Sequence, residues 1–309
     1  MRRSWRLTAP VILVALLFCA SCVSVRAEGN EMAAAPLVVA TTIPGPAQQA
    51  LPGSNEVPVR IYTPAQGLDP WATLVWAHGG SFVHGTLDWP EADWVSQRFS
   101  ESGIRVVSVD YVLASDEVKA PAPSNDVAAA VAWAAAEFAA PIVVGGASAG
   151  GHLAVLATLD QIDRAGAGSI DALVLEYPTL HRVQREHAVL AAATSQLPEQ
   201  RQFGPERIAA MYDFYLGDSG SAVVGELPAE RLALLPPTII VNADADDLRV
   251  SSEEFAEQLR AAGVTVSESV QAGTVHGYMN RPEESAQSLA DAHATIERFV
   301  AELRRTLSL

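Results

Sequence analysis

Cysteine is nearly absent from this 309-residue chain: Cys19 and Cys22 are the only two. Nothing downstream of them can hold a disulfide framework or a cysteine metal site. Basic residues are also few, 20 against 36 acidic ones, for a formal net charge of −16. That balance argues against nucleic acid as a partner, because phosphate binding needs basic patches. It reads instead as solubility and weak repulsion from anionic surfaces. Lysine occurs once, at Lys119. No pair of histidines falls at a ligand spacing such as H-x-x-x-H, so a metal site is not indicated. No internal repeat is visible. Hydrophobic residues make up 49% of the chain, which speaks against global disorder and allows a sizeable core. The length suits one large α/β domain or two small ones.

The longest apolar run at the N-terminus, Ala9 to Ala20, has 12 residues, short of the roughly 20 that span a bilayer. It follows the basic Arg2, Arg3 and Arg6 and reads as a signal peptide. Two exits fit. Val25-Arg26-Ala27 before Glu28 is a small-x-small cleavage site; Ala20-Ser21-Cys22 matches the end of a bacterial lipobox, which would lipidate Cys22 and tether the chain to a membrane. The chain is therefore expected to be exported, secreted or periplasmic in the first case and lipid-anchored in the second. Residues 1–27 contain four arginines and no acid, so their removal would take the net charge from −16 to −20. Residues 28–50, small and aperiodic, read as a flexible lead-in.

From there strands and helices alternate. Val57–Tyr62 suits an edge strand, where Pro58 is tolerable. Ala72–Ala77 is a buried-type strand running into His78-Gly-Gly-Ser81, and Trp89–Ser102 reads as a helix stopped by Gly103. Ile104–Tyr111 is a strand. A helix follows, capped by Ser124 or Asn125 and carrying Val127, Val131, Ala134 and Phe138 on one face. Ile142–Val144 and Ala172–Tyr177 are further strands. Residues 179–235 break the rhythm, with helices over 184–194 and 206–216, and suit a cap over a pocket. Thr238–Asn242 is a strand; a helix capped by Ser251 or Ser252 and an alternating strand, Val264–Val270, come next. The final helix carries Leu289, Ala292, Ile296, Phe299 and Leu303. Strands separated by helices imply an open, mostly parallel α/β sheet over residues 51–309, with ligands at the carboxyl ends of its strands.

One stretch carries chemistry. Gly146-Ala-Ser-Ala-Gly150 lies between the strand at 142 and a run of helix formers from Leu153. G-x-S-x-G in that setting makes a sharp turn that exposes the Ser148 hydroxyl beside a helix N-terminus, where backbone N–H groups can meet an oxyanion. A serine hydroxyl needs a base, and the base an orienting carboxylate. His276 is the best base of seven histidines, because it ends a strand near the C-terminus. His152 reads as packing, His293 as a surface residue, His84 as pocket lining; His181 and His187 lie in the insertion. Asp244, Asp246 and Asp247 compete for the acid. The order serine, aspartate, histidine is that of α/β-hydrolases.

The chain here resembles the bacterial hormone-sensitive-lipase-like carboxylesterases and lipases, over roughly Val57 to Leu307. His78-Gly79-Gly80-Ser81-Phe82 is similar to that family's H-G-G-G-F, Asp110-Tyr-Val-Leu-Ala114 to D-Y-R-L-A, and Gly146-Ala-Ser-Ala-Gly-Gly151 to G-D-S-A-G-G. Asp246-Asp-Leu-Arg249 is similar to D-P-L-R, and His276-Gly-Tyr278 to H-G-F. The resemblance implies the triad Ser148, Asp246 and His276, oxyanion donors at Gly80, Ser81 and Ala149, and supporting roles for His78, Gly79, Gly146 and Gly150. It implies cleavage of small-molecule carboxylic esters without a cofactor. Carbohydrate deacetylation, peptide hydrolysis and a catalytically silent binding module remain open on the same fold. Ser81 replaces a glycine of the motif; Gly79 and Gly80 are expected to absorb the turn and leave Ser81 unstrained.

Overall fold

The computed structural model describes residues 35–44, 56–65, 68–139 and 141–309. The signal-peptide and lipobox readings lie outside them. Eight strands form one sheet: β1 (Leu37–Pro44), β2 (Glu56–Thr63), β3 (Ala72–Ala77), β4 (Ile104–Val109), β5 (Ile142–Ala147), β6 (Ala172–Glu176), β7 (Thr238–Ala245) and β8 (Val266–Val275), in the order β1-β2-β4-β3-β5-β6-β7-β8. The pairings β1–β2 and β2–β4 are antiparallel and the other five parallel. The helices are α1 (Asp93–Glu101), α2 (Ala122–Glu137), α3 (Ala149–Ala165), α4 (Ala188–Thr194), α5 (Pro205–Leu216), α6 (Ala229–Leu232), α7 (Arg249–Ala261) and α8 (Ala286–Thr306).

Every residue of β3, β5 and β6 is buried, as expected of parallel strands covered on both faces. Successive side chains go to opposite faces. Val75, Val107, Val144, Leu173 and Ile240 join the core under α2, α3 and α7. Leu74, Trp76, Val106, Val143, Val174 and Ile239 join the core under α1 and α8, with Phe99 and Phe299.

Several expectations change. Residues 37–44, read as part of a flexible lead-in, form β1 and pair with β2 along its length. Thr41-Thr-Ile43 is β-branched, and Ile43 is buried, but the surrounding alanines and prolines masked that strand. β2 is consequently an interior strand. Pro58 is tolerated because it lies just beyond the paired register of β4, where its carbonyl accepts the Asp110 N–H at 3.0 Å. α1 begins at Asp93, after turns over 87–92. α2 begins at Ala122, so Ser124 lies inside it and its hydroxyl donates to the Pro121 carbonyl (2.8 Å). α4 begins at Ala188, capped by His187, which accepts the Leu190 N–H. α7 begins at Arg249, ahead of the two serines read as its cap.

Parallel strands put their carboxyl ends on one edge. The next residue after β3 is His78, after β5 Ser148, after β7 Asp246 and after β8 His276.

Candidate active site

Ser148 sits between β5 and α3 with φ 51° and ψ −118°, a conformation an L-residue resists. The turn is held from both sides. The Ser148 N–H donates to the Glu176 carbonyl at 2.9 Å, and the Ser148 carbonyl accepts the Gly151 and Thr179 N–H groups at 3.1 and 3.2 Å. Its glycines have no room for a side chain: a Cβ on Gly146 would come within 2.5 Å of Gly150, and one on Gly150 within 2.1 Å of the Ala77 carbonyl.

The three residues brought together by the strand ends form a line of hydrogen bonds. Ser148 Oγ is 3.0 Å from His276 Nε2, and His276 Nδ1 is 2.7 Å from Asp246 Oδ2. The second Asp246 oxygen accepts the Leu248 N–H at 3.0 Å. All three side chains are buried, which keeps these polar contacts out of competition with water. The Arg281 guanidinium donates to the His276 carbonyl at 2.6 Å, and the Tyr177 ring stands edge-on to the imidazole.

The competing aspartates do other work. Asp244 accepts the Gly273 N–H (2.9 Å) and contacts Arg249, bracing the bulge between β7 and β8. Asp247 accepts the Thr194 hydroxyl at 2.6 Å and the Phe203 N–H at 2.7 Å. It ties two parts of the insertion to the strand end that carries Asp246. Among the other histidines, His152 is buried against Tyr212, 3.0 Å from its hydroxyl, and burial pulls its pKa down to about 3. His181 contacts Ser251 at 2.9 Å. His293 is half-buried, edge-on to Trp94.

The loop after β3 arches beside Ser148. His78 is stacked on Tyr111 with ring centres 4.5 Å apart, its carbonyl accepts the Tyr111 hydroxyl (2.8 Å), and burial lowers its pKa, so it braces the loop as a neutral ring. A Cβ on Gly79 would stand 3.0 Å from that of Ser148. Gly80 has φ 116°, and its carbonyl takes the Val83 and His84 N–H groups. Ser81 and Phe82 also have positive φ, 55° and 67°. The expectation of an unstrained Ser81 is corrected: the two glycines before it do not absorb the whole turn. Phe82 holds the conformation by stacking on Tyr215 of α5, 3.9 Å between ring centres. Among the described residues, the N–H groups of Gly80, Ser81 and Ala149 donate to no protein acceptor.

Sequence reasoning missed the support behind this loop. Glu91 is buried and takes the Gly79 N–H on one oxygen and the Tyr177 hydroxyl on the other, both at 2.5 Å. An acid inside the segment Trp89–Ser102, read only as a helix, gives no signal of this. Phe203 was missed as well; its ring lies 4.5 Å from that of His276. It also lines a cavity of about 340 Å³ between the Ser81 loop and α5, together with Val83, His84, Arg207, Met211 and Phe214.

Fold and site define an α/β-hydrolase. The family model described as alpha/beta hydrolase fold matches residues 74–280. The chain is 31% identical over 281 residues to the carboxylic ester hydrolase LipN of Mycobacterium tuberculosis, covering 85% of this chain and 70% of LipN. It is 32% identical to the carboxylesterase NlhH of the same organism, over 74% of this chain and 73% of that one. Among solved structures it is similar to a bacterial heroin esterase, with a TM-score of 0.71, 28% identity, and 90% and 87% of the two chains covered. An esterase of Pyrobaculum calidifontis gives a TM-score of 0.71 at 28% identity, over 88% and 86%. The chain belongs to the α/β-hydrolase fold family, in the hormone-sensitive-lipase-like group its motifs resemble.

Proposed function

We propose that the chain is a serine carboxylesterase that works through an acyl-enzyme on Ser148. The observation that carries this reading is the unbroken line Ser148–His276–Asp246, 3.0 and 2.7 Å long, next to three unused backbone donors. Ser148 Oγ attacks the ester carbonyl as its proton passes to His276 Nε2. Asp246 holds the proton on Nδ1 and stabilises the imidazolium. The oxyanion is met by the N–H groups of Gly80, Ser81 and Ala149. Collapse breaks the bond to the alcohol oxygen, which leaves with the proton from His276. Water, deprotonated by the same imidazole, then releases the acid and restores Ser148. The insertion 179–235 acts as a cap, since its Phe203, Met211 and Phe214 wall the cavity next to the oxyanion loop.

Fluorophosphonate labelling followed by peptide mass spectrometry tests this. The label is expected on Ser148, with hydrolysis of short-chain p-nitrophenyl esters lost in Ser148→Ala. Wild-type turnover by purified Ser148→Ala would overturn the assignment.

Export belongs to the same proposal. Its support is the basic Arg2, Arg3 and Arg6, the 12-residue apolar run and the small residues after it. Mass spectrometry of the native protein is expected to find a terminus at Glu28 or a lipid-modified Cys22. An intact Met1 terminus in the cytoplasmic fraction would refute it.

A further inference from the structure

The cavity between the Ser81 loop and α5 has a charge pattern unlike the rest of the molecule. The chain carries 36 acidic residues against 20 basic ones, yet no acidic side chain lines this cavity. Its apolar wall is Phe203, Met211 and Phe214, and its polar groups are Ser81, His84 and Arg207.

Arg207 is exposed and held in place with no carboxylate at ion-pair distance among the described residues, although it also borders a second cavity lined by Glu186, Glu199 and Glu206. Its guanidinium lies over the Phe203 ring, 4.4 Å from the centroid, and Nη1 donates to the Glu199 and Gln202 carbonyls at 3.0 and 2.7 Å. Among the described residues it meets no carboxylate, and Nε and Nη2 donate to nothing, whereas Arg201 on the same segment is paired with Glu284. Two carbonyl contacts and a stacked ring fix the guanidinium plane, so an incoming ligand need not order a free side chain. A second cation rests on another aromatic residue of the cavity wall, without lining the cavity itself. Lys119, the sole lysine, sits over the Phe214 ring at 3.6 Å and has no ion pair among the described residues. Both cations thus stand on aromatic residues of one cavity wall.

The distance to the chemistry is bounded. Phe203 touches both groups, 4.5 Å from the His276 ring and 4.4 Å from the Arg207 guanidinium carbon, which places Arg207 no more than about 9 Å from the imidazole. The Ser81 end of the cavity carries one of the unused N–H donors.

The geometry points to an anion subsite: the cavity takes esters that carry a carboxylate on a short apolar spacer, such as half-esters of small dicarboxylic acids, with Arg207 binding the carboxylate. This rests on the esterase reading above and adds a substrate class to it. A guanidinium offering two free N–H groups matches a carboxylate in geometry and charge, and the aromatic wall suits the spacer. A neutral ester of the same shape leaves Arg207 unused.

The test compares matched charged and neutral pairs on the full chain: p-nitrophenyl hemiglutarate against its neutral isostere p-nitrophenyl 5-methylhexanoate for an anion on the acyl side, and 4-acetoxybenzoate against its methyl ester for one on the alcohol side. The wild type is expected to favour the anionic member of at least one pair by about 10-fold or more in kcat/KM, the span of a charge-assisted hydrogen bond. That preference should shrink with added salt and fall by about 10-fold in Arg207→Gln. Separately, 4-phenylbutyrate should inhibit the wild type at lower concentration than 4-phenylbutanol does. Hydrolysis of the neutral esters with no anionic preference in either pair, or a preference that Arg207→Gln leaves intact, overturns the subsite and leaves the esterase reading standing. No hydrolysis of any member overturns both.

Discussion

Gly80, Ser81 and Phe82 run consecutively at positive φ, and only the first is a glycine. The left-handed region costs an L-residue roughly 1–2 kcal/mol. A glycine at position 81 removes that strain and returns about 0.4–1 kcal/mol as extra freedom of the unfolded chain. Ser81→Gly is therefore expected to leave stability unchanged or raise it by up to about 1.5 kcal/mol, read as an equal or higher Tm. Turnover should change little, since the N–H is already free of protein acceptors; a large rise would show that the serine misdirects it. Asp246→Asn is the complementary case. The amide cannot hold the imidazole in the same tautomer and charge, and kcat should fall by about 10³-fold or more with the fold intact. At this scale Ser148 and His276 were legible from the turn and strand end that carry them, whereas Asp244, Asp246 and Asp247 share one loop and only the family resemblance singled out Asp246. Glu91 and Tyr177 were not, because a buried acid bonded to a distant loop looks in sequence like any surface acid.

The insertion is an element built from the core outward. α5 presents Tyr212 and Tyr215 to His152 and Phe82, so residues beside Ser148 and in the loop after β3 form the floor on which it stands. Asp247 adds the second tie, through Thr194 and Phe203. Asp247→Ala leaves the Phe203 N–H without its acceptor, a loss of about 1–3 kcal/mol borne by the segment carrying Phe203, while the Thr194 hydroxyl can still donate to the Leu190 carbonyl. The expected result is KM raised several-fold, with kcat falling less than it does in Asp246→Asn. Limited proteolysis should cut more readily between Thr194 and Pro205. Unchanged KM and protease resistance would mean that Asp247 is a bystander. The alternation of strand and helix, and the insertion itself, could be read from hydrophobic period and turn residues. β1 could not, because a half-exposed edge strand with Leu37, Val38 and Val39 facing solvent has no apolar alternation. Nor could the true starts of α1, α2 and α7, where no side-chain cap marks the first turn.

Across the whole molecule, buried groups of opposite kind set how stability depends on pH. His152, His78 and His181 are pulled below the ordinary histidine value of 6.5 by burial, His152 to about 3. The unfolded chain takes up protons on these rings as pH falls through 6.5 and the folded chain does not, so each disfavours folding on acidification, by about 1.4 kcal/mol per pH unit until its folded pKa is reached. Glu176 behaves the other way. It is enclosed between β5 and β7, and burial raises its pKa well above 4.5, with Glu91 and Asp246 nearby adding to the rise. The unfolded chain loses this proton as pH rises through 4.5 while the folded chain keeps it, so stability is lost on the alkaline side. The growing negative charge of an acidic chain acts in the same direction. Between 4.5 and 6.5 the contributions of three histidines oppose that of Glu176 and outweigh it, so Tm is expected to be highest near the upper end of that window, falling on both sides. Glu176→Gln should flatten the alkaline limb, since a neutral amide of the same shape has no proton to lose. The acid limb should persist in that variant. Melting curves from pH 4 to pH 9 for the two proteins decide it: parallel alkaline limbs would show that Glu176 is ionised in the folded state and that surface repulsion alone sets the decline.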